Sequence, residues 1–446
     1  MRGWMGLAEK IYQYSASNKK ASNEAMDELK KRVADSIFTA YVAMNSPPIK
    51  ISRKALLPSK GLYNSRIYFS KEKASAEVAA FINGSMARYM DYNDTYLSKE
   101  AMHPSDNIAP ILAVADSIGS NGSDVLKAIF LSYQVACSFA DAASVRGRGW
   151  DHVVYISASS AAGLARLLTL NEGKFVNAIS LSLNNSISMR QTRVGALSMW
   201  KACTVGDAGR NSVFGTILAK EGLTGPSPIF EGEMGFFRQV SGNLSLNLLK
   251  ERPQLTMIKA YPVEYHAMSA VQAALSIRDK LNGRIDRIGI ETFGVGYEII
   301  VKGPEKLRPK NKETADHSLP YIIAYTLLYG EPTPNSYGRR YLEDKKILAL
   351  IDRTNVSISK KFDRMYPKYT PSRISVTAGG KTFSEEVKVQ KGNAEDPFTW
   401  YDLKSKGLRC MHDECIVDEI IKACRSFEHR NVSDIFEVIQ NVDTKR

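Results

Sequence analysis

Cysteine is scarce in this chain, and its placement excludes several classes of protein. The 446 residues contain five cysteines, and no two of them form a Cys-x-x-Cys pair. They are Cys137, Cys203, Cys410, Cys415 and Cys424. An odd number at such spacings argues against a disulfide framework, a zinc ribbon and an iron–sulfur cluster. We therefore expect no metal site built on cysteine.

Long hydrophobic runs and a signal peptide are also missing. Uncharged stretches such as residues 128–140 and 318–330 run for 13 residues each, whereas a helix needs roughly 20 to cross a bilayer. The first residues lack the apolar region of a secretory signal. The sequence predicts a cytoplasmic protein with no transmembrane helix and no membrane partner.

Acidic residues are outnumbered by basic ones. The chain has 60 Lys plus Arg against 47 Asp plus Glu, a net charge of +13, and residues 302–368 hold 14 of the basic and 8 of the acidic residues. A basic surplus is typical of nucleic-acid-binding proteins. No arginine-rich arm, zinc finger or aromatic RNA-binding strand accompanies it, so we interpret it as a solvated face. Nucleic-acid binding is kept as a distant alternative, and no nucleic-acid partner is expected.

Hydrophobic periodicity predicts a mainly α, α+β protein of two domains. At 446 residues and 44% apolar content, the chain exceeds the usual size of one core. Up to residue 258 the period is helical, with helices starting at Ser22 or Asn23 and at Ser105. Further helices are predicted at residues 75–90, 123–142, 156–169, 174–188 and 198–221.

After residue 258 the hydrophobic periodicity changes, and segments with the period of a strand alternate with helical ones. Residues 285–301 read as a strand, and residues 373–388 as two strands joined at Gly379-Gly380. Helices are predicted at 266–281 and 317–329. From residue 401 helical patterning returns. We predict a large helical domain formed by residues 1–258 and 401–446, and a smaller α+β domain over 259–400.

Histidine is also rare, and four of the six lie in unusual contexts. His103 precedes a proline at a predicted helix start, and Asp91 and Asp94 lie just upstream. The two acids either serve chemistry or only cap the chain. His152 follows a flexible Arg-Gly-Arg-Gly segment, and His317 lies near the start of a helix.

Several basic residues lie in otherwise apolar or small-residue segments. Arg190, Arg193 and Lys201 lie in one such run. A buried lysine needs an anionic partner from protein or ligand, although a lysine extending from the surface is the alternative for Lys201. Lys259, Glu264 and His266 lie within eight residues at the junction of the two domains. Together these residues describe an acid/base site for a small polyanion with several carboxylates.

Four stretches resemble the MmgE/PrpD family, and within it the branch that dehydrates 2-methylcitrate. They are FINGSMARYMDYNDTYLSKEAMHPSDNIAPILAVAD (81–116), RQTRVGALSMWKACTVGDAGRN (190–211), LTGPSPIFEGEMGFF (223–237) and KAYPVEYHAMSA (259–270). The resemblance covers roughly residues 5–405. It implies a homodimer whose large helical domain faces a smaller α+β lid, and a metal-independent dehydration of 2-methylcitrate in propanoate breakdown, with no cofactor.

The resemblance also implies roles for particular residues. Asp91 and His103 are the expected acid/base pair, and Lys201 and Lys259 stabilise charge on the substrate. Substrate contacts are expected from Thr95, His152, Arg193, Glu264, His266, His317 and Tyr321. Other activities found in the family stay open, namely cis-aconitate decarboxylation, dehydration of citrate or isocitrate, and epimerisation.

Overall fold

The helical segment that comes first in the chain follows the predicted periodicity closely. The computed structural model describes residues 5–17 and 19–442. The helices of this segment are α1 (Leu7–Ala16), α2 (Asn23–Ala43), α3 (Pro47–Leu56), α4 (Ala76–Tyr89), α5 (Ile108–Ile118), α6 (Gly122–Ala142), α7 (Val153–Leu167), α8 (Glu172–Asn184) and α9 (Trp200–Lys220). Ser22 begins α2 as predicted, because its hydroxyl accepts the Ala25 N–H at 3.1 Å.

The predicted start of a helix at Ser105 is wrong. A 3₁₀ turn, Pro104–Asn107, comes first, and α5 begins at Ile108. The Ser105 N–H donates to the Asp94 carboxylate at 3.0 Å, and its hydroxyl accepts from the Asn93 amide at 3.0 Å. These contacts hold Ser105 against the preceding loop, so it does not cap the helix.

The α+β segment contains the main sheet. Its strands are β5 (Ile285–Thr292), β6 (Thr354–Ile358), β7 (Ser372–Ala378) and β8 (Lys381–Val387), and the shorter strands of the first segment are β1 (Asn64–Arg66), β2 (Lys73–Ser75), β3 (Tyr96–Leu97) and β4 (Ala101–Met102). The sheet order is β6-β5-β7-β8, in which β5 and β6 are parallel and the other pairs antiparallel. The predicted hairpin is confirmed, since Gly379 and Gly380 form its two-residue turn with φ of 57° and 75°.

The predicted strand over 285–301 is wrong beyond Thr292. Residues Gly294–Ile300 form a helix instead. The Gly294 N–H donates to the Asp363 carboxylate at 2.6 Å, and the Tyr297 N–H returns to the Phe293 carbonyl at 2.9 Å. A contact with a residue far along the chain therefore overrides the β propensity of this stretch.

The remaining helices lie in the α+β segment and at the end of the chain. They are α10 (Met268–Arg278), α11 (Gly294–Ile300), α12 (Pro304–Leu307), α13 (Lys312–Ala315), α14 (Leu319–Tyr329), α15 (Arg339–Leu342), α16 (Lys345–Ile351), α17 (Lys360–Asp363), α18 (Trp400–Met411), α19 (Glu414–Arg425) and α20 (Val432–Gln440). The helix α6 is long and apolar enough to cross a membrane, but 83% of its most apolar window is buried inside the chain. It is therefore a core helix of the fold.

Helices α4 and α9 cross closely, and this crossing positions the site described below. A Cβ on Gly206 of α9 would lie 2.3 Å from the Phe81 carbonyl oxygen of α4. Only glycine permits this approach. The crossing brings the end of α4, where Asp91 follows, beside the start of α9, where Lys201 lies.

A buried ion pair joins the C-terminal helices to the first segment. The Lys406 ammonium of α18 lies 2.6 Å from Asp35 of α2, and both side chains are almost fully buried. It also donates to the Tyr92 carbonyl at 2.8 Å, next to Asp91. The pair therefore fixes the loop that carries Asp91.

Replacing one member of this pair is expected to destabilise the fold. Lys406→Met leaves Asp35 buried without its counter-ion and should lower the free energy of unfolding by about 3–5 kcal/mol. Urea denaturation measures this change. Lys404→Met is the matched control, because Lys404 pairs with Asp418 at the surface and an exposed ion pair contributes far less to stability than a buried one. Equal losses in both variants would contradict the role given to the buried pair.

Candidate active site

Asp91 lies at the centre of a cluster of buried cations. Its backbone has φ of 50°, in the left-handed region that is uncommon for a residue other than glycine. Its Oδ1 accepts from Arg88 Nη1 at 2.5 Å and from Lys259 Nζ at 2.9 Å, and its Oδ2 lies 3.5 Å from Lys201 Nζ. The carboxylate is 1% exposed. Three cations from three distant parts of the chain therefore converge on one acid.

The surrounding charges keep Asp91 ionised. Burial by itself raises the pKa of this carboxyl, but the positive charges of Arg88, Lys259 and Lys201 outweigh burial and hold the pKa well below its usual range. The same burial lowers the pKa of Lys201 to about 8, against the opposing effect of Asp316 and Asp91. Asp91 is therefore a carboxylate at neutral pH.

Lys259 is occupied entirely by protein acceptors. Its ammonium lies 2.8 Å from the Asp91 carbonyl, 2.9 Å from the Asp91 carboxylate and 3.3 Å from the Val263 carbonyl. An ammonium has three N–H donors, so each is accounted for. Lys259 therefore shapes the Asp91 loop, and it does not line the cleft.

His103 lies next to Asp91 and is held in one tautomer. Its Nε2 lies 2.9 Å from Arg88 Nη2, and its Nδ1 lies 2.6 Å from the Asp94 carbonyl oxygen. A guanidinium only donates and a carbonyl only accepts, so the proton is assigned to Nδ1. Burial, followed by the charges of Arg88 and Lys259, lowers the pKa of His103 well below its usual value. The imidazole is neutral, with its Nε2 lone pair directed at Arg88.

Three further imidazoles share one arrangement, in which Nδ1 lies against a carboxylate. The pairs are His152 with Asp151 at 2.9 Å, His266 with Glu264 at 2.7 Å and His317 with Asp316 at 2.6 Å. For His152, whose pKa is lowered by burial, this contact places the proton on Nδ1 and leaves Nε2 as an acceptor. In the part of the chain that the structure describes, Nε2 of His152 and Nε2 of His266 are buried with no hydrogen-bond partner. His152 therefore offers a free lone pair at Nε2.

A cleft of about 930 Å³ lies between the helical segment and the α+β segment, and Asp91 and the four histidines described above line it. Of the residues predicted from sequence, seven line it: Asp91, His103, His152, Arg193, Glu264, His266 and His317. Lys201, Lys259, Thr95 and Tyr321 do not line it. The Thr95 hydroxyl lies 3.4 Å from His103 Nδ1, whereas the Tyr321 hydroxyl donates to the Ser336 carbonyl at 2.7 Å. Substrate contacts by Thr95 and Tyr321, and stabilisation of substrate charge by Lys201 and Lys259, stay predictions.

Sequence reasoning missed four residues of the site. Arg88 precedes Asp91 by one helical turn, and Asp151 and Asp316 each precede a histidine directly. The repeated Asp-His dipeptide is a signal that was present in the sequence. The fourth residue, Lys306, lies in a segment where basic residues are frequent, and nothing in the sequence distinguishes it from its neighbours.

The residues nearest to a metal-binding arrangement are already occupied. Among the described residues, Asp91, Asp316 and His317 place their ligand atoms within 4.8 Å of one another. Arg88 and Lys259 bind Asp91, and Lys312 lies 2.7 Å from Asp316. A divalent cation would have to displace or repel these ammonium and guanidinium groups, so the donor set fits a cation-bound carboxylate cluster better than a metal site.

The buried neutral histidines make stability depend on pH. Burial, and then the charge of Lys201, lowers the pKa of His317 to about 4, whereas it is about 6.5 in an unfolded chain. Between these values the unfolded state binds a proton that the folded state does not, so stability falls as pH decreases. When the pH is lowered from 7 to 4.5, the free energy of unfolding of wild type should therefore fall by about 2 kcal/mol more than that of His317→Gln.

Urea denaturation of both proteins at the two pH values measures this difference. His429→Gln is the control, because His429 is largely exposed and its replacement should leave the pH dependence unchanged. If His317→Gln and wild type lost stability in parallel on acidification, His317 would not be held neutral in the fold.

Comparison with known protein families gives two matches that together span most of the chain. The family model of the MmgE/PrpD N-terminal domain matches residues 6–249, and that of the MmgE/PrpD C-terminal domain matches residues 261–424. The cleft takes residues from both matched regions.

Individual relatives agree with this result. A 2-methylcitrate dehydratase of Escherichia coli (strain K12) is 28% identical, covering 96% of this chain and 92% of the relative. A 2-methylcitrate dehydratase of Cupriavidus necator is 28% identical, with 85% and 84% coverage. An alkylcitrate dehydratase of a fungal species is 28% identical, with 74% and 72% coverage. The similarity therefore extends along both segments of the chain.

Proposed function

The chain belongs to the MmgE/PrpD family, and from this we infer that it is a 2-methylcitrate dehydratase, a hydro-lyase of propanoate catabolism. The inference is supported by relatives named for this activity over most of the chain. The observation that carries it in the structure is the ionised Asp91 beside the neutral His103 in a cleft rich in Arg, Lys and imidazole groups. Such a lining suits a trianionic acid.

The reaction removes water across a carbon–carbon bond. A proton leaves the carbon beside a carboxylate, hydroxide leaves the adjacent carbon, and the product is 2-methyl-cis-aconitate. Negative charge develops on the carboxylate as the proton departs, and nearby fixed cations stabilise it. No oxidant or reductant is consumed, so positioned acid/base groups and charges are sufficient for the chemistry.

Asp91 and His103 are the proposed acid/base pair. Asp91 is ionised and His103 neutral. Because the Nε2 lone pair of His103 accepts from Arg88, this imidazole takes up a proton only when that hydrogen bond is given up. His103 Nε2 lies 3.9 Å from Asp91 Oδ1. A substrate proton that either group accepts is therefore close to the other group. The same proton can then leave on the departing hydroxyl: the C–H and C–O bonds break, the double bond forms and water is released. His152, with its free Nε2, is proposed to contact the substrate hydroxyl.

A product assay on separate acids tests the proposal. The purified protein would be incubated with 2-methylcitrate, citrate and cis-aconitate, and unsaturated acid and carbon dioxide followed independently. We expect unsaturated acid from 2-methylcitrate at the highest kcat/KM and no carbon dioxide. Release of carbon dioxide from cis-aconitate would assign the decarboxylase activity of the family instead, and preference for citrate would change the substrate.

Three further properties are proposed on the same basis. The first is that catalysis is metal-independent, which is supported by the cations bound to Asp91 and Asp316. Full activity after treatment with a chelator tests it. The second is that the protein is cytoplasmic, and fractionation of the native cells tests this location.

The third property is that the protein is a homodimer. It is supported by exposed apolar side chains at Met189, Val194 and Trp200. Sedimentation should give twice the 49.5 kDa chain mass.

A further inference from the structure

The basic residues of the cleft divide into paired and unpaired groups. Among the residues that the structure describes, six Lys and Arg line it, and four of these have ion pairs: Arg88 with Asp91, Arg146 with Glu100, Arg193 with Asp151 and Lys302 with Glu298. Within residues 5–17 and 19–442, Arg190 and Lys306 have neither an ion pair within 4 Å nor a side-chain hydrogen bond. Two cleft cations are thus without a protein counter-ion.

Lys306 is the more unusual of the two, because it is 6% exposed. It lies in the short helix α12, and its carbonyl accepts from the Ser318 hydroxyl, next to His317. Burial lowers the pKa of its ammonium, and the nearby acids Glu305, Asp316 and Glu264 oppose this effect without pairing with it. Burying an unpaired cation is costly, so the position is one that an anionic ligand would complete.

Arg190 belongs to the helical segment, whereas Lys306 belongs to the α+β segment, and both line the cleft. It begins the 3₁₀ turn Arg190–Arg193, and its backbone N–H donates to the Gly149 carbonyl at 2.8 Å. The positive charges of Arg146 and Arg193 lie nearby. Because those neighbours already hold carboxylates, the free guanidinium of Arg190 is the donor there that remains open to an anion. A guanidinium binds a carboxylate through two parallel N–H bonds.

We propose that Lys306 and Arg190 bind two carboxylates of the substrate, one from each segment that forms the cleft. This inference rests on the proposed function, since it assigns the acid's remote carboxylates to two residues outside the Asp91 cluster. Because each segment holds one carboxylate, substrate binding also depends on how the helical segment and the α+β segment are positioned relative to each other.

Calorimetry with propane-1,2,3-tricarboxylate tests the assignment, because this acid has three carboxylates and no hydroxyl to lose. Lys306→Met and Arg190→Met are each expected to weaken its binding at least about tenfold, the usual effect of removing a charged hydrogen-bond partner. Lys306→Arg should retain most of the affinity. Lys310→Met, which removes an exposed charge in the same segment, is the matched control and should bind like wild type.

Thermal unfolding separates this role from a structural one. Without ligand, Lys306→Met should melt at the wild-type temperature or higher, because it removes an unpaired buried charge. The proposal is overturned if Lys306→Met or Arg190→Met weakens tricarboxylate binding by less than tenfold. It is also overturned if Lys310→Met weakens binding as much as these two variants do.

The outcomes for the binding site and for the proposed function are distinguishable. If wild type binds the tricarboxylate through Lys306 but leaves 2-methylcitrate unchanged, the dehydratase proposal fails and the binding site stands. If wild type dehydrates 2-methylcitrate and Lys306→Met does so with an unchanged KM, the binding assignment fails alone.

Discussion

Asp91→Asn should lower kcat/KM for 2-methylcitrate by about 10³-fold, within the range of a lost acid/base group. The amide keeps the shape of the side chain but cannot take a proton. It also removes the negative charge that faces Arg88, Lys259 and Lys201. Leaving these cations buried without a counter-ion should lower the free energy of unfolding by about 3 kcal/mol. Steady-state kinetics and urea denaturation measure the two effects.

Asp106→Asn is the matched control for this substitution. Asp106 is a buried carboxyl close to the same loop, and burial raises its pKa to about 7, against the opposing charge of Arg88. Its Oδ1 accepts from the Asn93 amide at 3.0 Å, which an asparagine oxygen reproduces. At pH 6 this variant should lose less than about 1 kcal/mol of stability and retain most activity. Similar losses in the two variants would remove the special role of Asp91.

The second large effect is expected from Asp151→Asn. Asp151 holds His152 Nδ1 at 2.9 Å and Arg193 Nε at 2.8 Å. An asparagine can donate its N–H to Nδ1, which moves the imidazole proton to Nε2 and removes the acceptor that faces the cleft. The expected loss of kcat is about 10²–10³-fold, as for other misplaced acid/base groups.

The tautomer of His152 distinguishes this explanation from a change in packing. Nitrogen NMR of the imidazole should report a proton on Nδ1 in wild type and on Nε2 in Asp151→Asn. His152→Ala is the companion variant, and adding Asp151→Asn to it should cost little more activity. If the two losses multiplied, Asp151 would act on the reaction independently of His152.

The fold could be predicted from sequence wherever a short-range pattern determines it. The period of α2 and the two glycines of the β7–β8 hairpin are such patterns, and both predictions are confirmed. The prediction of a strand over 285–301 is wrong beyond Thr292, because the Gly294 N–H donates to Asp363, 69 residues away. A contact of that range leaves no trace in local periodicity.

The candidate site was predictable in its residue types and less so in its connections. The unusual contexts of His103, His152 and His317 pointed to residues that do line the cleft. Lys259 was expected to face the substrate, but its partner is Asp91, 168 residues earlier in the chain. Which cation is occupied by protein and which is open, as with Lys259 and Lys306, depends on tertiary distances that a sequence does not contain.

A crystal structure of the protein with bound propane-1,2,3-tricarboxylate would show whether the cleft that carries Asp91 and His103 is the one that binds a tricarboxylic acid. We expect the ligand in the cleft, with carboxylates against Lys306 and Arg190 and its central carbons within reach of Asp91, His103 and His152. A tricarboxylate bound elsewhere, or one in the cleft with its carbons turned away from Asp91 and His103, would contradict this expectation.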